Sequence, residues 1–107
     1  MNAQKGQTRK PIDFAEVNTA ARANLLPILQ RWLPGGRQQG NEYLALNPHR
    51  VDRHLGSFRI NLRTGRWADF ATGDKCGDVV SLAAFLFGLT QIEAARRLAE
   101  MLGLSHG

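Results

Sequence analysis

The sequence predicts an α+β fold, in which a small three-stranded antiparallel sheet packs with about four helices. Three observations predict it: capped apolar segments at both ends of the chain, a strictly alternating segment at 57–63, and a turn that leads this segment into a further strand. The 107 residues and 43% hydrophobic content fit one domain. We assign it to residues 11–104, between a flexible basic tail at 1–10 and a short tail at 105–107.

Two helices are expected before the sheet. Asp13 is a carboxylate N-cap with Glu16 three residues on, and apolar residues follow it at helical spacing. Pro27 belongs to the first turn of a second helix, because proline breaks the hydrogen-bond ladder of a helix interior. This helix ends at the Leu-Pro-Gly-Gly segment 33–36. Its apolar face consists of Leu25, Ile28, Leu29 and Trp32.

Two further helices are expected after the sheet. Asp78 caps the segment 79–87, which is apolar nearly all round, so this helix is predicted to be buried. Thr90 and Glu93 have the Thr-x-x-Glu spacing of a capping box and open the last helix. The residues expected on its inward face are Ile92, Ala95, Ala99 and Leu102.

The three strands are predicted at 42–46, 57–63 and 66–71. A three-residue loop between the last two would place Phe58 opposite Phe70, with both side chains in the core. In the same register, Ile60 would face Ala68 inside the sheet and Arg59 would lie opposite Asp69 outside.

The alternative is a two-residue loop at 64–65. It would pair Leu62 with Trp67 and place Trp67 and Asp69 on the core face, which buries a carboxylate. We prefer the three-residue loop because it keeps charges in water. Trp67 is then expected to be exposed on a basic strand face.

Composition and charge exclude several classes of protein. The start of the chain is basic and polar rather than a secretory signal, and no apolar run approaches the ~20 residues of a membrane span, so we expect a cytoplasmic protein with no membrane partner. The net charge is +5, with the basic excess in the first two thirds of the chain. This excess suits a polyanionic partner.

Catalytic and metal sites are not expected. The three histidines lack a neighbouring nucleophile, and no pair of carboxylates has acid–base spacing, so we predict a protein that is not an enzyme. Tetrahedral zinc requires four ligands, and the chain has one cysteine, so no metal and no cofactor are predicted. The residues left for weak metal binding are His49, His54 and Cys76.

The glycine-bounded segment 73–77 precedes a helix, where free N–H groups attract anions. Asp74 and Asp78 flank it with negative charge, and Asp78 as N-cap uses the donors. A capped turn is therefore favoured over a phosphate site.

Nucleic-acid binding is the remaining chemical interpretation. Five arginines lie within residues 50–66 with one acid, Asp52, and aromatic residues lie nearby. Proteins that bind single strands combine a basic groove with aromatic platforms on which bases stack. The alternative is a solvated sheet face, in which arginines pair with Asp52 and Asp69 and Trp67 packs beneath arginine stems. Composition leaves both open. The candidate binding residues are Arg50, Arg53, Arg59, Arg63, Arg66, Trp67, Lys75 and Tyr43.

A series of short motifs follows in a recognisable order. They are GRQQGNEYLALNP at 36–48, GSFRIN at 56–61, GRWADF at 65–70, GDVV at 77–80 and EAARRLA at 93–99. This order resembles the N-terminal zinc-binding domain of bacterial replicative primases, over residues 24–103. The resemblance implies a zinc-ribbon-like sheet. The positions of the family's four metal ligands carry Asn47, Arg50, Asp69 and Thr72, so it also implies a ribbon that has lost its zinc.

The resemblance further implies a function. Such a domain would bind single-stranded template DNA through its sheet face, while polymerase chemistry belongs to a separate domain. We therefore expect a non-catalytic accessory domain of a primase or primase–helicase system, carried by a mobile element. The alternative is a protein-interaction module that docks onto a replication polymerase or helicase without touching DNA. Without zinc, packing or polar cross-links must stabilise the ribbon tip; the candidates are the first helix, Trp67 and an Asp69–Arg59 salt bridge.

Overall fold

The computed structural model describes residues 11–49, 55–73 and 75–104, and over these residues the chain is α+β, as predicted. It contains four helices and one antiparallel sheet with the strand order β1-β2-β3-β4-β5. The elements in chain order are α1 Phe14–Ala23, α2 Leu25–Trp32, β1 Arg37–Gln39, β2 Glu42–Ala45, β3 Phe58–Asn61, β4 Trp67–Asp69, β5 Lys75–Cys76, α3 Val79–Phe87 and α4 Gln91–Met101. The predicted tails and the arginines at 50 and 53 lie outside the described residues.

The prediction of three strands is wrong, because the described sheet has five. β1 lies in a segment interpreted from the sequence as a polar turn, and there Gln38 pairs with Tyr43 of β2. Gly40 makes the hairpin turn with a positive φ of 61°. β5 has only two residues and pairs with β4. Both strands escaped prediction because neither is long enough to show apolar alternation.

Helix α1 begins at its predicted cap, whereas α2 begins at Leu25 without a side-chain cap. The Asp13 side chain accepts a hydrogen bond from the Glu16 amide at 3.1 Å, and Pro27 lies in the first turn of α2. After α2, the Tyr43 hydroxyl donates to the Leu33 carbonyl at 2.7 Å. A Cβ at Gly36 would clash with the Tyr43 ring and the Leu44 carbonyl oxygen, so only glycine permits this close approach. The end of α2 is thereby held against the sheet.

The register of the β3–β4 hairpin differs from both loops considered. Ile60 pairs with Trp67 and Phe58 with Asp69, which leaves a four-residue connection at 62–65. The Asn61 side chain stabilises this connection by accepting hydrogen bonds from the Arg63 and Thr64 amides, at 2.9 and 3.0 Å.

This register places Trp67 and Asp69 on the core face, as the rejected two-residue alternative did. Trp67 is 6% exposed and Asp69 is fully buried. The expectations of an exposed Trp67 and of an Arg59–Asp69 pair are therefore wrong. The opposite face receives Ala68 and Phe70 in their place.

Helix α3 covers the core face of the sheet. Its N-cap Asp78 accepts from the Ser81 amide at 2.7 Å, as predicted. The Phe85 ring lies 4.8 Å from the Trp67 ring and 6.2 Å from the Phe58 ring, measured between centroids. The Trp67 indole N–H donates to the Ser81 hydroxyl at 3.2 Å. A predicted core helix thus contacts the aromatic centre of the hairpin.

Helix α4 begins with the predicted capping box between Thr90 and Glu93. Its buried residues are Ala94, Ala95, Leu98 and Ala99. Ile92 is 49% exposed, so its predicted inward position is wrong. Small alanines form the face that packs on α1 and α3, since they permit close approach between helices.

Within the described residues, no single helix is long and apolar enough to cross a membrane. Helices α3 and α4 meet the length and composition criteria only as a pair, and a bend of 107° separates them.

Candidate nucleic-acid interface

The sheet face opposite α3 is concave and forms a cleft of about 560 Å³, here called the outer cleft. Strand alternation directs Arg59, Ala68 and Lys75 to this face, because their neighbours in each strand face the core. The outer cleft is lined by Glu42, Arg59, Asn61, Thr64, Arg66, Trp67, Ala68, Phe70, Lys75 and Gly77. It therefore brings together three of the eight predicted binding residues as exposed or partly exposed cations: Arg59, Arg66 and Lys75.

Arg59 is held in a defined position by three contacts. Its Nε donates to the Gly56 carbonyl at 2.6 Å, and its Nη1 lies 3.0 Å from the Glu42 Oε1. Its guanidinium carbon lies 5.9 Å from the centre of the Phe70 ring. The salt bridge is about 40% exposed on both sides, so it contributes at most about 1 kcal/mol to stability. Its main effect is to orient the guanidinium toward the outer cleft.

Phe70 is the exposed aromatic residue of this surface. It is 72% exposed and lines the outer cleft beside Arg59. Phe70 is not among the predicted binding residues, because the three-residue loop would turn Phe70 inward and Trp67 outward. The spacing of the two residues could have indicated this. Positions 67 and 70 are three residues apart and face opposite sides of a strand, so every register that buries Trp67 exposes Phe70.

Arg66 and Lys75 supply the remaining positive charge. Both are exposed, and no salt bridge joins either of them to another residue in the described part of the chain. Glu42 is the one acid of the lining and is already paired with Arg59. Counting three cations against one carboxylate, the outer cleft carries a net charge of +2.

Other predicted site residues lie elsewhere. Tyr43 is 2% exposed on the core face, and its burial raises the pKa of its hydroxyl, so its assignment to the binding surface is wrong. Trp67 lines the outer cleft but is only 6% exposed, so its assignment as an exposed stacking platform is wrong as well. Arg63 is exposed in the 62–65 connection but does not line the outer cleft. Arg50 and Arg53 lie outside the described residues.

A buried polar cross-link lies at the other end of the hairpin. The Asn47 Nδ2 donates to the Asp69 Oδ2 at 2.8 Å, while the Asp69 Oδ1 accepts from the Ala71 amide at 2.8 Å. The Asn47 Oδ1 in turn accepts from the His49 amide at 2.8 Å. Asn47 and Asp69 are 2% and 0% exposed. These are two of the four positions at which the primase resemblance places metal ligands.

Metal-ligating residues do not converge in the part of the chain that the structure describes, where no group of three or more His, Cys, Asp or Glu occurs. His49 instead packs on α3, with its Nε2 at 2.6 Å from the Phe85 carbonyl oxygen. His54 and the Cys76 side chain, the other proposed weak ligands, lie outside the description.

The start of α3 is a capped turn, as predicted. The Asp78 side chain accepts a hydrogen bond from the Ser81 amide, and the buried Asn18 side chain accepts one from the Val80 amide at 3.0 Å. Because two of the first amides of α3 are bonded internally, they are not available to a phosphate.

The fold and the outer cleft define a small α+β domain with a basic sheet face that carries an exposed aromatic ring. A scan against protein-family models and a search of curated proteins found no match.

Proposed function

We propose that this chain is a non-catalytic domain that binds single-stranded DNA through the outer cleft. The observation that carries the proposal is the combination of an exposed Phe70 with three cations on one concave sheet face. Single-strand binders use this combination, in which cations follow the phosphates and bases stack on aromatic rings.

Each lining residue has a role in this proposal. Arg66 and Lys75 meet phosphates, since neither is engaged in a salt bridge with another described residue. Phe70 stacks on a base, and the fixed Arg59 guanidinium extends that platform. A single strand is favoured over a duplex because the bases of a duplex are already stacked and paired.

The replicative setting of the proposal is supported by the primase resemblance. In that setting the domain is an accessory of a primase or primase–helicase system on a mobile element, and a different domain performs polymerisation. The β3–β4 hairpin and the Asn47–Asp69 cross-link then correspond to a zinc-ribbon tip whose metal has been replaced by a hydrogen bond.

Phe70→Ala is expected to weaken binding of a single-stranded oligonucleotide by roughly 5- to 150-fold, because base–aromatic stacking contributes about 1–3 kcal/mol. The fold should be unaffected, since the ring is 72% exposed. Fluorescence anisotropy of a labelled oligonucleotide measures the loss, with a duplex of the same sequence for comparison. Phe14→Ala, an exposed phenylalanine on α1, is the matched control. Equal affinities for Phe70→Ala and the unchanged protein would contradict stacking at this position.

Arg66→Gln combined with Lys75→Gln is expected to reduce the salt dependence of binding. For single strands, each phosphate contact contributes about 0.7 to the slope of log K against log salt, so two lost contacts lower it by about 1.4. Arg31→Gln with Arg96→Gln removes the same charge from exposed helix positions and should leave the slope nearly unchanged. Equal slopes for the two double variants would show that net charge, rather than the outer cleft, drives binding.

No binding to single strands at low salt would overturn the proposed function. Docking onto a replication protein would then be the remaining candidate.

A further inference from the structure

A second concave surface lies between the end of α2 and the pair α3–α4, with a volume of about 420 Å³. We call it the helical groove. Its bulky apolar lining residues are Trp32, Phe87, Leu89, Leu98 and Met101, and Arg97 is its one charged lining residue.

Two of the apolar residues that line the helical groove are exposed, while Trp32 and Leu89 are partly buried and Leu98 belongs to the core. Phe87 and Met101 are 51% and 41% exposed. The Trp32 ring meets the Phe87 ring edge to face at a centroid distance of 5.4 Å, and so forms one end of the groove. Exposed apolar residues grouped in a concavity between helices are typical of sites that receive an amphipathic helix.

Charge selects the kind of occupant. The Glu93 carboxylate, one turn before Arg97, accepts a hydrogen bond from the Thr90 amide at 2.9 Å and closes the capping box. The pKa of the Glu93 carboxyl is lowered first by its hydrogen bonds with Thr90 and, to a smaller extent, by the nearby charge of Arg97. No hydrogen bond or salt bridge joins the Arg97 side chain to any other described residue, so its guanidinium can still pair with a carboxylate at the groove. A second copy that met the groove with the same surface would set Arg97 against its own counterpart, and this repulsion between like charges disfavours self-association. The complementary occupant is acidic.

We propose that the helical groove binds an acidic amphipathic helix of a partner protein. The apolar side chains of that helix fill the space beside Trp32, Phe87 and Met101, and one of its carboxylates pairs with Arg97. The surface is separate from the outer cleft, and the two lining sets share no residue. The inference therefore does not depend on DNA binding.

Two synthetic peptides test the proposal. Both carry the same leucine and phenylalanine face at helical spacing, and their polar faces are glutamate in one and lysine in the other. Labelled peptides are titrated with the protein and followed by anisotropy, and amide chemical shifts locate the contact. We expect the acidic peptide to bind roughly tenfold more tightly, an effect of the order of one close charge pair, with shifts confined to α2, α3 and α4.

Arg97→Glu is expected to abolish this preference for the acidic peptide, while Arg96→Glu, the same charge change on the next residue, should preserve it. Met101→Gln should weaken the binding of both peptides. Ile92→Gln, which changes an exposed apolar residue of α4 outside the groove lining, should weaken the binding of neither.

Equal effects of the Arg96 and Arg97 changes on peptide binding would overturn the proposal, as would chemical-shift changes that map to other elements. Concentration-dependent dimers in sedimentation that Met101→Gln dissociates would overturn it in favour of a second copy. Oligonucleotide binding by Arg97→Glu reports separately on the outer cleft.

Discussion

Trp67→Ala is expected to lower the free energy of unfolding by about 3–5 kcal/mol, the range for removing a large aromatic side chain from a core. The Trp67 ring contacts the rings of Phe58 and Phe85, and its N–H bonds to Ser81. Removing it opens a cavity at the place where α3 meets the sheet, and leaves the buried Ser81 hydroxyl without that donor. Urea denaturation, followed by circular dichroism, measures the loss.

Trp32→Ala is the matched control. Because Trp32 is only partly buried, its replacement should lower the free energy of unfolding by clearly less. The comparison also tests the hairpin register. In the register with a three-residue loop Trp67 would be exposed, and its replacement would change stability by about 0.5 kcal/mol or less. A stable Trp67→Ala protein would therefore contradict the pairing of Ile60 with Trp67.

Asp69→Asn is expected to lower the free energy of unfolding by about 2–3 kcal/mol, although it preserves volume. Both carboxylate oxygens of Asp69 accept hydrogen bonds, one from Asn47 and one from the Ala71 amide. An asparagine at position 69 must turn its NH₂ group toward one of these donors, which leaves buried polar groups facing each other without a bond. Asn47→Asp should be destabilising too, because it sets two buried carboxylates side by side.

The exchanged pair, Asn47→Asp with Asp69→Asn, should recover at least half of the summed loss. The new carboxylate at position 47 accepts from the His49 amide and from the new side-chain NH₂ group at position 69. The side-chain oxygen at position 69 still accepts from the Ala71 amide, so all three hydrogen bonds described at the cross-link are rebuilt. A double-mutant cycle by urea denaturation gives the coupling between the two positions. Additive losses in the exchanged protein would show that the Asn47–Asp69 bond does not hold the hairpin tip.

Helix boundaries were accessible from the sequence because their signals are local. The Asp13 and Asp78 caps and the Thr90–Glu93 box each act within four residues, and the helices begin where they indicate. The hairpin register was not accessible in the same way. A shift of one residue exchanges the two faces, and the choice turned on whether a carboxylate at 69 could be buried. Its hydrogen-bond partner Asn47 lies 22 residues away in sequence, and no local sequence pattern indicates that the two side chains meet.

The cations of the candidate site could be predicted from the sequence, but its aromatic residue could not. The arginines at 59 and 66 and Lys75 line the outer cleft because polar residues of an amphipathic hairpin must face water. The aromatic partner was assigned to Trp67 and Tyr43, both of which belong to the core, whereas Phe70 is the exposed ring. A large aromatic residue gives no sign in sequence of which strand face it occupies until the register is known.

The short strands at the two margins of the sheet restrict how other molecules can approach this protein. β1 has three residues, all exposed and polar or charged, and β5 has two. Among the residues that the structure describes, neither of these edge strands offers a run of free amides and carbonyls long enough for a foreign strand to pair with. Recognition by strand addition is thus disfavoured, and partners are directed to the broad surfaces of the domain, its concave sheet face and its helices. The same brevity protects the folded chain from joining its own copies edge to edge.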